Sequence, residues 1–344
     1  MPVTTGASTD LFNGNSTTQG KIMGLMQIRH REIRHREGIH APFVVSTAIL
    51  LIFGLAGGAF ADNRSGGWRP AVPQMRTDGT QVPGGCPIES PAGRFLFTAR
   101  NPTTMNIDIY VNERAAIGEP FAPGGALPDP INDEMLANDF CPTPLPDNEL
   151  YFVSNRSGSC GATDMYRAVQ NPATGWSEPV QLGCYPDGPN TPGTELSPSI
   201  IETAWGTFLY FSTDYHTGNQ DIYRSRMRAD GTFGPGVRLP YPINTEYDDR
   251  QPNVSQNGRE IVFAANRPTA AGDETGFDIF IAKRRFLFAR WRRVTNLSET
   301  VPFDTVNAGE TRPSLSWDGE RMVYGSGGVW VSERKSGRGK KRDD

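Results

Sequence analysis

The chain has 344 residues, of which 37% are apolar, 10% aromatic and 21% charged, with 38 Gly and 28 Pro. That balance packs a core but is poor in helix formers, which excludes both a coiled coil and a disordered chain. The formal net charge is -4, made up of +2 over residues 1–61 and -6 beyond them. This argues against nucleic acid as a partner. Beyond residue 61 the only histidine is His216, which removes chemistries that need two imidazoles.

The first predicted element is an export signal over residues 1–61. Arg29, Arg31, Arg34 and Arg36 precede an uncharged run from Pro42 to Ala61, which ends in the small-residue site Ala59-Phe60-Ala61. Basic segment, apolar segment and cleavage site together predict cutting before Asp62. The competing reading is an uncleaved anchor, since 20 uncharged residues can span a bilayer. Residues 1–22 are long for such a leader, and Met23 or Met26 offers a later start. No cysteine sits at the cleavage site, so a lipid anchor is not indicated.

From residue 62 to 333 one unit repeats five times. Asp108-Ile109-Tyr110, Asp164-Met165-Tyr166, Asp221-Ile222-Tyr223 and Asp278-Ile279-Phe280 are spaced by 56, 57 and 57 residues. Each follows an aromatic-rich apolar run: Phe95-Leu96-Phe97, Leu150-Tyr151-Phe152, Leu209-Tyr210-Phe211 and Ile261-Val262-Phe263. Such runs read as strands. Turn signals precede several of them, among them Asn257-Gly258 and, in a fifth copy, Asp318-Gly319. The fifth copy ends at Val329-Trp330-Val331 without its outer strand, and a matching segment, Trp68 to Val72, stands at the other end. The sequence therefore predicts an all-β, five-bladed propeller of four-stranded blades, its ring closed by an N-terminal strand completing the last blade. A β-sandwich of hairpins is the plainer alternative, and it does not account for one signature per 57 residues.

These residues carry a resemblance. Val153-Ser154-Asn155-Arg156 with Asp164-Met165-Tyr166, Ala264-Ala265-Asn266-Arg267 with Asp278-Ile279-Phe280, and Ser197-Pro198-Ser199 with Asp221-Ile222-Tyr223 resemble the TolB-type, WD-repeat-like β-propeller family of bacterial envelopes. The resemblance spans residues 67–333. It implies an envelope scaffold or recognition domain, although TolB itself is similar to a six-bladed ring with an extra N-terminal domain. No G-x-S-x-G nucleophile elbow is present.

All four cysteines lie after the signal. Cys86 and Cys141, each followed by proline, occupy the same site of adjacent blades, which predicts a disulfide. Cys160 and Cys184 reach one rim of one blade, which predicts the second. Neither pair forms a metal-binding C-x-x-C, and no metal or cofactor is expected.

An acidic residue stands three positions before the strand-opening proline in four repeats, at Asp139, Glu195, Asp249 and Glu310, with Gly84 in the first. Four positions beyond the aligned apolar residue stand Arg100, Arg156, Tyr215, Arg267 and Gly328. Asp139–Arg156, Asp249–Arg267 and Glu310–Arg100 are expected as inter-blade ion pairs. Glu195 is left with Asp214, Tyr215 and His216, a candidate patch for a cation or polar ligand. A second possibility is a carboxylate ring serving a carbohydrate-active hydrolase or lyase. Trp68, Trp176 and Trp291 recur like the signature Asp and read as blade packing rather than sugar platforms.

Residues 334–344 form a basic tail with six positive side chains. Such tails are commonly solvated and disordered. The expected product is a periplasmic or secreted monomer that does not span the membrane once processed. It would be non-enzymatic and bind an envelope protein, peptide or glycan, or regulate a separate enzyme.

Overall fold

In each repeat the second strand is apolar on both faces, and this decides how the sheets pack. Leu150 and Phe152 pack toward one neighbouring blade, whereas Tyr151 and Val153 pack toward the other. A strand with two dry faces needs a partner on each side, and a ring supplies one. The computed structural model describes residues 67–101, 106–133, 137–268, 276–300 and 310–335. The predicted export signal and residues 336–344 of the predicted tail lie outside them, whereas Arg334, expected in the solvated tail, is buried because it pairs with Glu260 and lies over the Trp68 ring. Among the described residues no helix is long and apolar enough to cross a membrane.

The first strand of the described residues is β1 (Val72–Pro73), and four complete blades follow it. The first holds β2 (Gly85–Glu89), β3 (Phe95–Arg100), β4 (Asp108–Glu113) and β5 (Gly125–Ala126). The second holds β6 (Asp139–Pro144), β7 (Glu149–Ser154), β8 (Asp164–Asn171) and β10 (Val180–Gln181), with β9 (Gly175–Trp176) as a short ribbon on β8. The third holds β11 (Leu196–Thr203), β12 (Gly206–Thr213), β13 (Asp221–Arg226) and β14 (Val237–Arg238). The fourth holds β15 (Asp249–Val254), β16 (Glu260–Ala265), β17 (Asp278–Lys283) and β18 (Arg292–Asn296).

The fifth blade holds β19 (Thr311–Leu315), β20 (Arg321–Gly325) and β21 (Val329–Glu333), and its outer strand is β1. All pairings within the blades are antiparallel, so the expected five-bladed ring is present with its closing strand. Trp68 does not sit inside that strand. It bridges to Arg334 and is buried against Leu315, Met322 and Tyr324. The core is divided into five apolar clusters, one at each blade interface, with Leu96, Val323 and Val329 in the cluster that joins the last blade to the first.

The innermost strands share one irregularity. Cys86, Cys141, Ser197, Gln251 and Arg312 have φ between 39° and 54°, each precedes a proline, and each sits in a register shift. A positive φ is costly for residues with a Cβ, and here it recurs in all five blades as a bulge at the same position. These five residues meet one another at the ring axis. Cys86 and Cys141 form a disulfide, Ser197 Oγ lies 3.2 Å from Cys141 Sγ, and Arg312 N donates to Gln251 Oε1 at 3.0 Å. At the level of these bulges the axis is filled. The second disulfide joins Cys160 to Cys184, so both pairs follow the predicted connectivity.

Candidate functional site

The innermost strands begin at one rim of the ring, and Asp139 and Asp249 are paired there within their own blades and not between blades as expected, because each arginine follows the strand that neighbours its acid. Asp139 Oδ1 accepts Arg156 Nη2 at 2.7 Å, and its Oδ2 accepts Asp133 N at 2.9 Å. Asp249 repeats the arrangement, with Arg267 Nε at 2.8 Å and Thr245 N at 2.6 Å. Each arginine also donates to two carbonyls of the preceding loop, Pro130 and Ile131 in one blade and Pro242 and Ile243 in the other. A guanidinium shared between a carboxylate and a loop ties the rim together.

The structure does not bring Glu310 to Arg100, contrary to the expected pairing. Arg100 lies over the Tyr110 ring at 3.5 Å, and Glu310 Oε1 has no hydrogen-bond partner. The reason is local. A side chain on Gly84, the first blade's counterpart of the acids, would collide with Arg100 Cγ at 2.6 Å, so the arginine fills its own blade's site.

A second row of acids adjoins the first, and an alignment of repeats cannot show it. The signature aspartate of each blade lies beside the rim acid of the next: burial and the charge of Asp139 raise Asp108, and the charge of Asp164 raises Glu195. Buried asparagines position this row. Asn132, Asn190 and Asn244 each accept from the backbone N–H of the residue after the aspartate, at 2.7–2.9 Å, and donate back to its carbonyl. Sequence reading missed them, although an Asn recurs 22–25 residues past each of these positions.

Compensation differs between interfaces. Asp221 is gripped by Arg238 through both carboxylate oxygens, at 2.6 and 2.7 Å. In the preceding blade the neutral Gln181 donates to Asp164 instead. Glu195 likewise accepts from Thr191 Oγ1 where its counterparts accept arginine. Asp164 and Glu195 are both fully buried, and each keeps one oxygen without a donor. Two buried carboxyl groups that feel each other's charge are relieved when one of them holds a proton. Burial pushes Glu195 up to about 8, with the charge of Asp164 adding to it and hydrogen bonds from Thr191 and Thr213 opposing it. Glu195 is thus the protonated partner at neutral pH. Burial and Asp278 similarly raise Glu310 to about 7.

The predicted patch is assembled in part. Thr191 Oγ1 lies 3.0 Å from Thr213 Oγ1, which in turn meets Tyr215 N, so two threonines separate Glu195 from the loop 214–216. Asp214 Oδ1 is used by Thr194 N at 2.8 Å. The accessible groups are aromatic. Tyr215 and His216 are exposed with ring centroids 4.7 Å apart, and Tyr185, which the sequence did not single out, lies within 6.0 Å of both. Trp68 and Trp291 are buried, as packing residues should be.

No family model and no curated protein sequence matches the chain. Solved structures do. An alpha-L-arabinofuranosidase from Podospora anserina, solved with cellotriose, aligns with a TM-score of 0.53 at 15% identity over 79% of this chain and 98% of its own. The catalytic domain of a GH62 alpha-L-arabinofuranosidase from Coprinopsis cinerea aligns at 0.54 with 13% identity over 79% and 98%. TolB from Acinetobacter baumannii gives 0.44 at 15% identity over 80% of this chain and 65% of its own. At such identities the likeness is one of fold. The fold alone does not choose among functions.

Proposed function

We propose that the chain is an exported, non-enzymatic propeller of the cell envelope, TolB-like in role, that binds a protein, peptide or glycan at its rim. One observation carries the reading: Asp139, Glu195, Asp249 and Glu310 are at most 1% exposed. A glycoside hydrolase needs two carboxyl groups facing the same substrate. These four face the blades, and the partners of Asp139, Glu195 and Asp249 are arginines, threonines and backbone. Two disulfides that use every cysteine support an oxidising compartment.

The binding face in this reading is the aromatic surface of Tyr185, Tyr215 and His216, with Asp214 at its edge and Glu195 supporting it from beneath. Exposed aromatic groups at a fixed rim are suited to stacking on sugar rings or apolar side chains. The test is retention on immobilised envelope glycans and peptides. Tyr185→Ala and Tyr215→Ala should each reduce it while leaving the melting temperature unchanged. Unchanged retention in both variants would remove this face from the account.

A further inference from the structure

Three aromatic side chains are exposed where packing gives no reason for them. Trp205 is 66% exposed in the turn between β11 and β12, and Phe286 and Phe288 are 57% and 55% exposed in the turn after β17. The Trp205 and Phe288 rings meet edge to face at 6.2 Å, so the two turns form one apolar surface across the third and fourth blades. Both turns lie at the end of the ring opposite the rim acids. β12 and β13 pair from Phe208 with Arg226 at this end to Thr213 with Asp221 at the rim, and β16 and β17 from Glu260 with Lys283 to Ala265 with Asp278. A continuous exposed apolar surface marks a place of contact.

Arginines surround these rings. Phe208 stands opposite Arg226 in the ladder and Arg224 lies two residues along β13, so the three side chains share one face of the sheet. They line a groove of about 600 Å³ together with Arg228, Val237 and Phe288, and no Asp or Glu lines it. The Phe208 ring lies 5.4 and 5.9 Å from the guanidiniums of Arg224 and Arg226. Arg226 Nη2 donates to Trp205 O at 3.0 Å, and Arg228 donates to the carbonyls of Asp187 and Phe233, so these acceptors are neutral. Arg259, Arg285 and Arg290 stand exposed on the adjoining turns, which are tied by Arg284 N to Arg259 O. Among the described residues, none of these six arginines has a carboxylate within ion-pair distance. Two acids stand nearby. Asp230 accepts from Thr232, and Glu202 turns to the other face of its strand, where its charge reaches Tyr151.

A chain that is acidic beyond residue 61 thus gathers unpaired cations around exposed rings, and the complementary partner is anionic. The shape selects which kind. Rings more than half exposed on turns project outward instead of lining a recess, and projecting Trp and Phe beside arginine suit the boundary between lipid headgroups and acyl chains. We propose that this end of the third and fourth blades is a peripheral docking surface for an anionic lipid bilayer. Trp205, Phe286 and Phe288 would enter the interface, and Arg224 and Arg226 would receive a lipid phosphate in the groove. The surface lies opposite the aromatic rim of Tyr185 and Tyr215, so its failure would leave the rim reading in place.

The test uses the disulfide-intact chain from Asp62 to Asp344, which holds the whole closed ring and leaves out the apolar run from Pro42 to Ala61. It should co-sediment with vesicles of phosphatidylcholine and phosphatidylglycerol, be released at high salt, and stay in solution with phosphatidylcholine alone. Arg226→Gln should raise the lipid concentration for half-binding about fivefold, the equivalent of about 1 kcal/mol per cation. Trp205→Ala and Phe286→Ala should each weaken binding about fivefold or more, because each removes a ring from the interface. Lipids brominated in the acyl chain should quench the fluorescence of the parent more than that of Trp205→Phe. All these variants change exposed residues and should keep the parent's melting temperature. No sedimentation with either vesicle, equal sedimentation with both, or binding unchanged in all the variants, as attraction by the basic tail alone would give, would overturn the proposal.

Discussion

Val72 of β1 pairs antiparallel with Val331 of β21, so the first described strand of the chain completes the sheet formed by its last three. The two are joined by no covalent bond, and the ring stays closed through the ladder and through Trp68, whose ring lies 4.4 Å from the Arg334 guanidinium.

Deleting residues 62–76 should therefore open the fifth blade. The deletion exposes β21 as an edge and empties the site of Trp68, and loss of a buried tryptophan side chain costs about 3–5 kcal/mol. The expected result is a lower melting temperature and aggregates in size-exclusion chromatography. A monomer with an unchanged melting temperature would contradict the closure.

Peptide mapping without reductant should recover Cys86 linked to Cys141 and Cys160 linked to Cys184. Replacing either pair by alanine should cost about 2–4 kcal/mol in denaturant unfolding. The Cys86–Cys141 bridge encloses the longer loop, with a sequence separation of 55 against 24, and its loss should weigh more.

Arg267→Ala should destabilise by about 3–5 kcal/mol, because it leaves Asp249 buried without its cation. Burial already holds the Asp249 carboxyl above its ordinary range, with Arg267 opposing that rise. The variant should be rescued in part at low pH, where the carboxyl takes up a proton.

The pH dependence of stability follows from Glu195 and Glu310. Their folded pKa values, about 8 and about 7, lie above the ordinary 4.5, so the folded state binds more protons between these limits. Stability from this source is full below pH 4.5 and is lost as the pH rises through 7 to 8. Glu195→Gln should flatten that loss and melt higher than the parent at pH 8 to 9. Scanning calorimetry from pH 5 to 9 measures it, and a parent whose stability rises over that range would contradict the assignment.

The fold was legible because its information is periodic. The signature at Asp108, Asp164, Asp221 and Asp278 sets the blade length, and the unmatched strand at Val329–Val331 asks for a partner that Val72 provides. Pairs such as Asp139 with Arg156 were visible because both residues sit at fixed offsets in one repeat, although the sequence assigned them to different blades and they lie in one. Contacts between blades were not. The Asp164–Glu195 pair joins different offsets of neighbouring repeats, and aligned repeats hold no record of which face turns toward which. Arg100 was misassigned to Glu310 because its cation was matched by charge alone, whereas Tyr110 in its own blade offered a ring. Arg312 and the five positive-φ bulges left only the recurrent following proline as a trace in sequence.

In the proposed reading the rim carboxylates support the blades instead of performing chemistry. Its most direct test is the release of reducing ends from arabinan and arabinoxylan by the purified, disulfide-intact protein. The account predicts no release above the protein-free control at any pH from 5 to 8. Release that is present in the parent and lost in Glu195→Gln, with the fold intact, would contradict it.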